Sequence, residues 1–500
     1  MRRREFVKKS AAALSLPFWL QNCEFFSSID FPIHIQSDHM VGHLLLKSRE
    51  WKTQEAEKTQ TLIVGGGIAG ISTAMTLGNS DYRLFELSNS FGGTSRSQLH
   101  NGLRISQGAH YELAYPEYYG EEVLSLFEKL DIIRYEPWKK MWSFTDHQHI
   151  IPFARRQQCY QNGKLRGEVI TDGFEKSSFY NLLDEFKGEM PLPSRLIDRK
   201  HHYLNELTFL AFLNDRMSVS SEFVRQLDYH MMDDWGGTTS QVSALAGIHY
   251  FMCRPYTDES VDLFSPPEGN FYFLDRMSEN IPNKNLFSNH LVSKVEKSGD
   301  EFEVEVIDVQ NQLRKIYKAE EVIYAGQKHT LKYIYEKESA LFENRQAPWM
   351  VINFIANQPV GKYGFWQNEY LGENQSFLGF IDSSVQSRDV LKDKRVLTAY
   401  YCLREEDRNY LTTIDANKER IVSETLSYME EMLDEKLKIE ACYINVMGHA
   451  MSIPVPGFLF NDANNQNTDL TYAGVDNGRL PLLFEAVDSG ILAAKSVLNS

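Results

Sequence analysis

The sequence predicts an α/β fold in which a dinucleotide-binding β-α-β unit near the N-terminus is completed by segments from the middle and the end of the chain. Three observations carry this expectation. The apolar run Leu62-Ile63-Val64 ends directly in glycine, helix-spaced apolar residues from Ile68 to Leu77 follow, and Tyr82-Arg83-Leu84-Phe85-Glu86-Leu87 makes a second strand. A short apolar run closed by glycine is the signature of a buried parallel strand, and strand, helix and strand in succession form one β-α-β unit. Far along the chain the pattern returns: Leu470-Thr471-Tyr472-Ala473 runs into Gly474, and Leu482 to Leu498 reads as a closing helix.

At 500 residues the chain exceeds what one hydrophobic core organises, so two intertwined domains are expected. Hydrophobic residues make up 42% and charged residues 24%, the composition of a globular protein with a sizeable core. The formal net charge of −16 excludes nucleic acid and anionic lipid as main partners, because phosphate contacts need clustered Lys and Arg. An acidic field favours cationic ligands instead. Cys23, Cys159, Cys253, Cys402 and Cys442 show no C-x-x-C spacing, so neither a zinc site nor a disulfide framework is signalled, and the last four read as buried thiols.

Arg2-Arg3-Arg4-Glu5-Phe6-Val7-Lys8-Lys9-Ser10 precedes the uncharged stretch Ala11 to Leu20, the charged and apolar regions of a signal peptide over 1–23. The apolar stretch is about half the roughly 20 residues that a membrane-spanning helix requires. Arg3-Arg4-x-Phe6-Val7-Lys8 resembles the twin-arginine signal, which implies folded export by the twin-arginine machinery to the periplasm; the plainer alternative is a basic N-terminus. Leu20-Gln21-Asn22-Cys23 resembles a lipoprotein cleavage box with an atypical Asn22, leaving a lipid anchor at Cys23 or a simple leader as the two readings. Residues 24–57 have no clear period and read as a tether.

Beyond the first unit, a helix is expected near Tyr118 to Leu130, short aromatic-rich strands from Ile132 to about Val169, and a largely helical stretch from Phe223 to Tyr250. Phe271 to Ser278 reads as another helix. A β-ribbon follows at Asn289 to Glu296, Glu301 to Val309 and Glu320 to Ala325, with Ser298-Gly299-Asp300 as a hairpin turn. Trp349 to Ala356 and Val396 to Cys402 read as strands, and Asn417 to Leu433 as an amphipathic helix. Segments 58–150, 246–330 and 446–500 then compose a discontinuous dinucleotide domain, interleaved with 151–245 and 331–445 as a mixed α+β substrate domain.

Gly65-Gly66-Gly67-Ile68-Ala69-Gly70 places G-x-G-x-x-G between strand and helix. Gly65 permits the tight turn, Gly67 admits a pyrophosphate close to the backbone, and Gly70 allows close packing. The N–H groups at the start of the helix, at Ile68 and Ala69, face the anion. Glu86 follows at about 20 residues, the spacing of a carboxylate that accepts ribose hydroxyls. Together these define a Rossmann-like site.

Phe91-Gly92-Gly93-Thr94-Ser95-Arg96 next resembles the amine oxidase and phytoene desaturase superfamily of flavoproteins, in which a double glycine after the ribose carboxylate brings more backbone to FAD. The resemblance continues at Gly108-Ala109-His110, similar to the segment under the flavin, and at Val292, whose counterpart packs near adenine. It returns at Thr471-Tyr472-Ala473-Gly474-Val475-Asp476 and Glu485-Ala486-Val487-Asp488-Ser489-Gly490. There Asp476 matches the acidic residue that meets the ribityl and pyrophosphate region, and the helix carrying Ala486 points its positive end at the flavin. The resemblance implies a Rossmann-like FAD-binding domain with FAD held non-covalently, since the final segment has no matching cysteine. It departs from the family at Thr94, where relatives place Arg or Lys, which leaves Arg96 as the candidate for that contact.

The substrate half resembles the family far less. Pro348-Trp349-Met350-Val351-Ile352-Asn353-Phe354 stands where amine oxidases carry a lysine that holds water near the flavin, and Asn353 is the nearest equivalent. Leu482 and Leu483 lie where an aromatic residue is expected. Tyr229 to Gly237, with Asp233 and Asp234 beside flexible glycines, is read either as a pocket wall or as a helix end with solvated carboxylates. His449 in Gly448 to Gly457 is a candidate contact to substrate or flavin, or a core histidine. His147 and His149 share one strand face with no third ligand, an exposed hairpin rather than a metal site. Glu268-Gly269-Asn270 reads as a cap for the helix that follows.

The expected function is an FAD-dependent oxidoreductase that takes hydride from a small-molecule substrate, an amine being one candidate, with oxygen or a quinone as electron acceptor. A desaturase or isomerase of an apolar substrate and a non-catalytic flavin-containing lipoprotein are the alternatives.

Overall fold

The computed structural model describes residues 29–47, 50–54, 57–108, 116–253, 263–341, 344–359, 364–386 and 393–499. The leader, Cys23, Ala109 and His110 lie outside the described residues.

The first unit forms as its residues dictate. Strand Glu57–Val64 is followed by helix Ile68–Leu77 and strand Tyr82–Phe85, which pairs parallel to the first with Ile63 opposite Leu84. Both strands bury nearly every side chain at their C-terminal ends, the burial expected of a parallel strand covered on both faces. Leu313–Tyr324 lies on the other side of Glu57–Val64, also parallel, and carries the short strand Thr471–Tyr472 at its end. His290–Ser298 and Glu301–Asp308 complete an antiparallel ribbon. Their turn contains Gly299 at φ +65°, and Phe302, Val304 and Val306 alternate inward at the strand period of two. The result is a mixed sheet fed from the front, the middle and the end of the chain, as the split pattern in the sequence requires.

A second sheet runs in the order Ile33–Gln36, Ile439–Ser452, Gln346–Ala356, Arg395–Cys402, Phe377–Asp382, Gln367–Leu371, Gln157–Gln161 and Lys164–Arg166. Helix Ile414–Leu433 covers one face, setting Ile421, Val422 and Met429 on Ile352, Phe354 and Leu397. The other face contributes Trp349, Tyr400 and Met447 to the core shared with the dinucleotide helices. This is an α/β fold with a Rossmann-like domain and a mixed second sheet. Among the described residues, no helix is long and apolar enough to cross a membrane.

Four sequence expectations are corrected. The tether is docked: Ile33–Gln36 pairs parallel with Cys442 to Asn445, because Ile33 and Ile35 find an apolar sheet edge that no local period announces. Ile439–Ser452 is one continuous strand of the second sheet, so the domain boundary at 446 cuts an element instead of separating two. The helical stretch from Phe223 is two helices, Ser221–Trp235 and Ala244–Met252, each capped by a serine hydroxyl, Ser220 and Ser243. His147–His149 is a 3₁₀ turn, not a strand, and buries His149 against Phe264 and Tyr272. No group of residues suited to a metal ion occurs among the described residues.

The closing helix Leu483–Leu498 packs on helix Ile68–Leu77 through Gly490, where a Cβ would lie 2.3 Å from the Ala69 carbonyl oxygen. Ser72 and Thr73 donate hydroxyl bonds to the Val487 and Gly490 carbonyls at 2.8 and 3.1 Å. Because the obstruction is backbone, Gly490→Ala must push the helices apart. A loss of about 1–3 kcal/mol is expected in denaturant unfolding, the range for overpacking a close contact.

Candidate functional site: a glycine-lined dinucleotide cradle

The cradle is built where strand Glu57–Val64 meets helix Ile68–Leu77. Gly65 adopts φ +101° and lies against Ala325, whose carbonyl oxygen would be 2.9 Å from any Cβ there. At Gly70 a Cβ would sit 1.9 Å from the Gly65 carbonyl oxygen, so only glycine lets the helix begin this close to the strand. Gly67 caps the helix, and a Cβ at this position would meet nothing within 4 Å, so the helix N-terminus opens on free space. Its leading N–H groups and positive dipole end suit an anion. The double glycine docks on this turn: Gly92 donates its N–H to the Gly66 carbonyl at 2.7 Å, and Gly92 and Gly67 form a parallel bridge. Glu86 is buried at the end of the second strand, its two carboxylate oxygens accepting the Gly66 and Ser88 N–H groups at 2.8 and 2.9 Å. Each oxygen keeps a lone pair for a ribose hydroxyl. These residues fit a dinucleotide.

The remaining candidates fall around this cradle in different ways. Thr94 lies in the 3₁₀ turn Gly93–Ser95, and its carbonyl oxygen would be 2.7 Å from a Cβ on Gly108, which explains glycine at the latter. Tyr400 donates its hydroxyl to the Gly108 carbonyl at 3.2 Å. Arg96 donates Nε to the Gly93 carbonyl at 3.0 Å and pairs through Nη2 with Asp38 at 2.6 Å. Val292 is buried in strand His290–Ser298, just after His290 donates its N–H to the Glu86 carbonyl at 2.8 Å.

At the C-terminal segment, Gly474 has φ +104° and donates its N–H to the Ser489 hydroxyl at 2.9 Å, tying the last strand to the closing helix. Ala486 lies in the first turn of that helix. Asp476 is engaged by protein: Oδ2 accepts the Lys328 N–H at 2.9 Å and Gln346 Nε2 at 3.1 Å, while Oδ1 accepts the Ser452 hydroxyl. Burial holds the Lys328 ammonium well below its ordinary value, against the pull of Asp476, Asp462 and Glu338. A buried charge network brackets the closing helix: Asp488 accepts Arg195 Nε at 2.7 Å and Arg479 Nη1 at 2.8 Å, and Glu485 accepts the Ser194 N–H at 2.6 Å. Burial raises the Glu485 carboxyl above its usual range.

The substrate-side candidates divide. Asn353 is fully buried, donates to the Ser106 carbonyl at 2.8 Å and accepts from the Thr398 hydroxyl at 2.7 Å, which makes it a core amide and not a surrogate for a catalytic lysine. Asp233 and Asp234 lie in the last turn of helix Ser221–Trp235, half-buried instead of solvated. Burial, then the charges of Glu369 and Asp233, raises the Tyr229 hydroxyl, and burial, then Asp233, raises the Cys402 thiol, so the carboxylates gather where this helix faces the second sheet. The glycines beside them are not flexible: Gly236 is the left-handed cap at φ +68°, and a Cβ there would come within 2.5 Å of Ala347. His449 stacks on His329 with ring centroids 3.8 Å apart, a partner the sequence does not signal. Burial, then His329 and Arg408, push His449 down to about 3, and burial with Arg408 pushes His329 to about 4. A separate polar groove of about 400 Å³ by Lys297, Asp300, Glu320 and Asp469 shares no residue with the cradle.

Residues 63–130 match the family of NAD(P)-binding Rossmann-like domains. No curated protein sequence matches the chain. Among solved structures, a putative protoporphyrinogen oxidase from Exiguobacterium sp. 255-15 is similar at 13% identity and TM-score 0.62, over 89% of this chain and all 100% of that one. Cyclohexylamine oxidase from Brevibacterium oxydans IH-35A is similar at 14% identity and TM-score 0.60, over 89% and 99% of the two chains. A double mutant of putrescine oxidase is similar at 14% identity and TM-score 0.59, over 89% and 100%. At such identities the likeness is one of fold. The protein is thus an α/β protein with a Rossmann-like domain, and it shares its fold with these oxidases over 89% of its length.

The depressed histidines set a pH dependence. In the unfolded chain both rings bind protons below about pH 6.5, whereas in the folded protein they stay neutral until about 4 and about 3. The unfolded state therefore gains protons first, and stability must fall as pH drops from about 6.5 towards 4. Replacing both rings, His329→Phe with His449→Phe, should flatten that part of the curve of melting temperature against pH. An unchanged slope would contradict neutral rings in the fold.

Proposed function

We propose that the protein is an FAD-dependent oxidoreductase that acts on a small organic substrate, with an amine as the leading class. The observation that carries this reading is the cradle of Gly65, Gly67, Gly70, Gly92, Gly93 and Glu86 at the C-terminal edge of the parallel strands, closed by the helix that returns from the chain end. Glu86 would hold the ribose, and the helix at Gly67 the pyrophosphate. FAD held there supplies an acceptor for hydride from a substrate C–H bond. Arg96 and the backbone of Gly474 are the further candidates for cofactor contact, with Asp476 holding Lys328, Gln346 and Ser452 in register beside them. Trp349 and Tyr400, packed edge to face at 6.1 Å, form an apolar wall next to Gly108 that excludes water.

The amine reading draws support from Asp233 and Glu369 beside Tyr229, where carboxylates would attract an ammonium group, and from the fold shared with putrescine and cyclohexylamine oxidases. Export completes the proposal: the leader carries the folded holoprotein through the twin-arginine route to the periplasm, with Cys23 as the site of a lipid anchor and oxygen or a quinone as the acceptor.

Glu86→Ala should weaken FAD binding by about 1.5–3 kcal/mol, the worth of a charge-assisted hydrogen bond, with little change in folding; flavin fluorescence titration measures it. Undiminished affinity would remove Glu86 from the site.

Under anaerobic conditions, a polyamine should bleach the flavin absorbance faster as pH rises through the amine's own ionisation, because the reacting nitrogen must be neutral to release hydride. Asp233→Asn should raise the concentration needed for half-maximal bleaching. A broad amine panel that never bleaches the flavin would turn the assignment to apolar desaturation substrates.

Replacing Arg3 and Arg4 by Lys should leave yellow, folded protein in the cytoplasm, as cell fractionation would show. Unimpaired export of that variant would contradict the twin-arginine route.

A further inference from the structure

The segment before the first strand of the dinucleotide domain does more than lead into it. Ile33–Gln36 adds a strand to the second sheet, and His34 stacks on Tyr443 with centroids 4.8 Å apart. Gln36 then accepts a side-chain hydrogen bond from Gln107. Two residues on, the carboxylate oxygen Oδ2 of Asp38 accepts the Ser88 hydroxyl at 2.9 Å and pairs with Arg96 Nη2 at 2.6 Å. The turn His43–Leu46 finally packs on helix Leu331–Ile334, with Leu45 against the core of the dinucleotide sheet. The segment is pinned to both sheets and crosses between them.

Its crossing point matters. Ser88 donates its own N–H to Glu86, and Arg96 holds the Gly93 carbonyl, so Asp38 fastens to the two loops that shape the cradle. In open α/β sheets nucleotides lie outside the carboxyl ends of the strands, and these loops bound that crevice. A small cleft bounded by Gln36, Gly93, Thr94, Arg96 and Met447 lies along the same line. Arg96 has five N–H donors, of which Asp38 and Gly93 take two, so it can serve the latch and an anion together.

We propose that residues 29–47 are part of the cofactor site: a strap that closes over the bound dinucleotide and is latched by Asp38 to Ser88 and Arg96. Cofactor release then requires the latch to open. This rests on the FAD reading above. The strap acts by retention, holding a cofactor acquired where it is abundant.

The test is the rate of FAD release from the holoprotein, followed by recovery of flavin fluorescence after dilution. Asp38→Ala removes both latch contacts, and release should be about tenfold faster or more, the effect of losing a charge-assisted hydrogen bond. Asp38→Asn keeps an oxygen for Ser88 but loses the charge, and its release rate should fall between the other two. In the wild-type protein, amide hydrogen exchange in Ile33–Gln36 should slow when FAD is added to the apoprotein, which tests the strap even if Asp38→Ala does not fold. Release rates equal to wild type in the variants, or strap exchange indifferent to FAD, overturn the strap while leaving FAD binding intact. A wild-type chain that neither retains nor takes up FAD overturns the functional reading and the strap with it.

Discussion

The structure depends on how closely the first and last helices approach. Gly70 lets helix Ile68–Leu77 start against the turn, with a Cβ there only 1.9 Å from the Gly65 carbonyl oxygen, and Gly490 lets Leu483–Leu498 lie on the same helix. Neither contact can be relaxed by a side-chain rotation, since in both cases the obstruction is backbone. From this crossing the rest follows: Thr471–Tyr472 is drawn alongside Leu313–Tyr324, Gly474 is tied to Ser489, and the chain end becomes a wall of the cradle built by its beginning. A discontinuous domain needs such a lock, because loop closure across most of the chain is costly in entropy and local contacts cannot repay it.

Much of this was legible because it is written in local period and in glycine spacing. Helices Ile68–Leu77 and Phe271–Ser278 occupy the residues expected, and the ribbon turn falls on Gly299. What was illegible depends on distant partners. Ile33–Gln36 is four residues with two apolar side chains, too short to declare a period, and becomes a strand only because Cys442 to Asn445 offers an edge. Gly236 and Gly237 look like flexible punctuation but are glycines for lack of room, pressed on Ala347 and Ile453. Asn353 stands in the register of a reactive residue, yet its amide is consumed by Thr398 on the adjacent strand and by the Ser106 carbonyl from a separate hairpin. His329 gave no signal at all, since stacking on His449 is a tertiary event between segments more than a hundred residues apart.

The charges at the closing helix show how the fold manages an acidic sequence. Glu485 and Asp488 in the first turns of a helix favour its N-terminal dipole, but both are buried, where carboxylates are expensive unless paired. Arg479 and Arg195 answer them, the first from the approach to the helix and the second from the turn Ser194–Leu196. The network thereby joins the helical part of the second domain to the cradle. Removing Arg479 would leave Glu485 buried without a charge partner, while Asp488 would keep Arg195, and a buried carboxylate left uncompensated costs more than the pair contributes.

The same reasoning bears on the division of labour at the site. Of the groups near the cradle that could carry a proton, His449 and His329 are pushed down to about 3 and about 4 by burial and by Arg408, and burial lowers the Lys328 ammonium as well. A histidine pushed to about 3 is too weak a base to hold a proton at neutral pH, and it cannot drive proton abstraction from carbon. Asn353 is spent in the core. His449, His329 and Asn353 are therefore suited to packing and orientation, while the ion pairs Arg96–Asp38 and Arg479–Asp488 lie at the cradle and the closing helix. On the proposed reading such a site would leave bond-breaking to a bound cofactor, and the glycines of the cradle would then matter more to function than any single titratable residue.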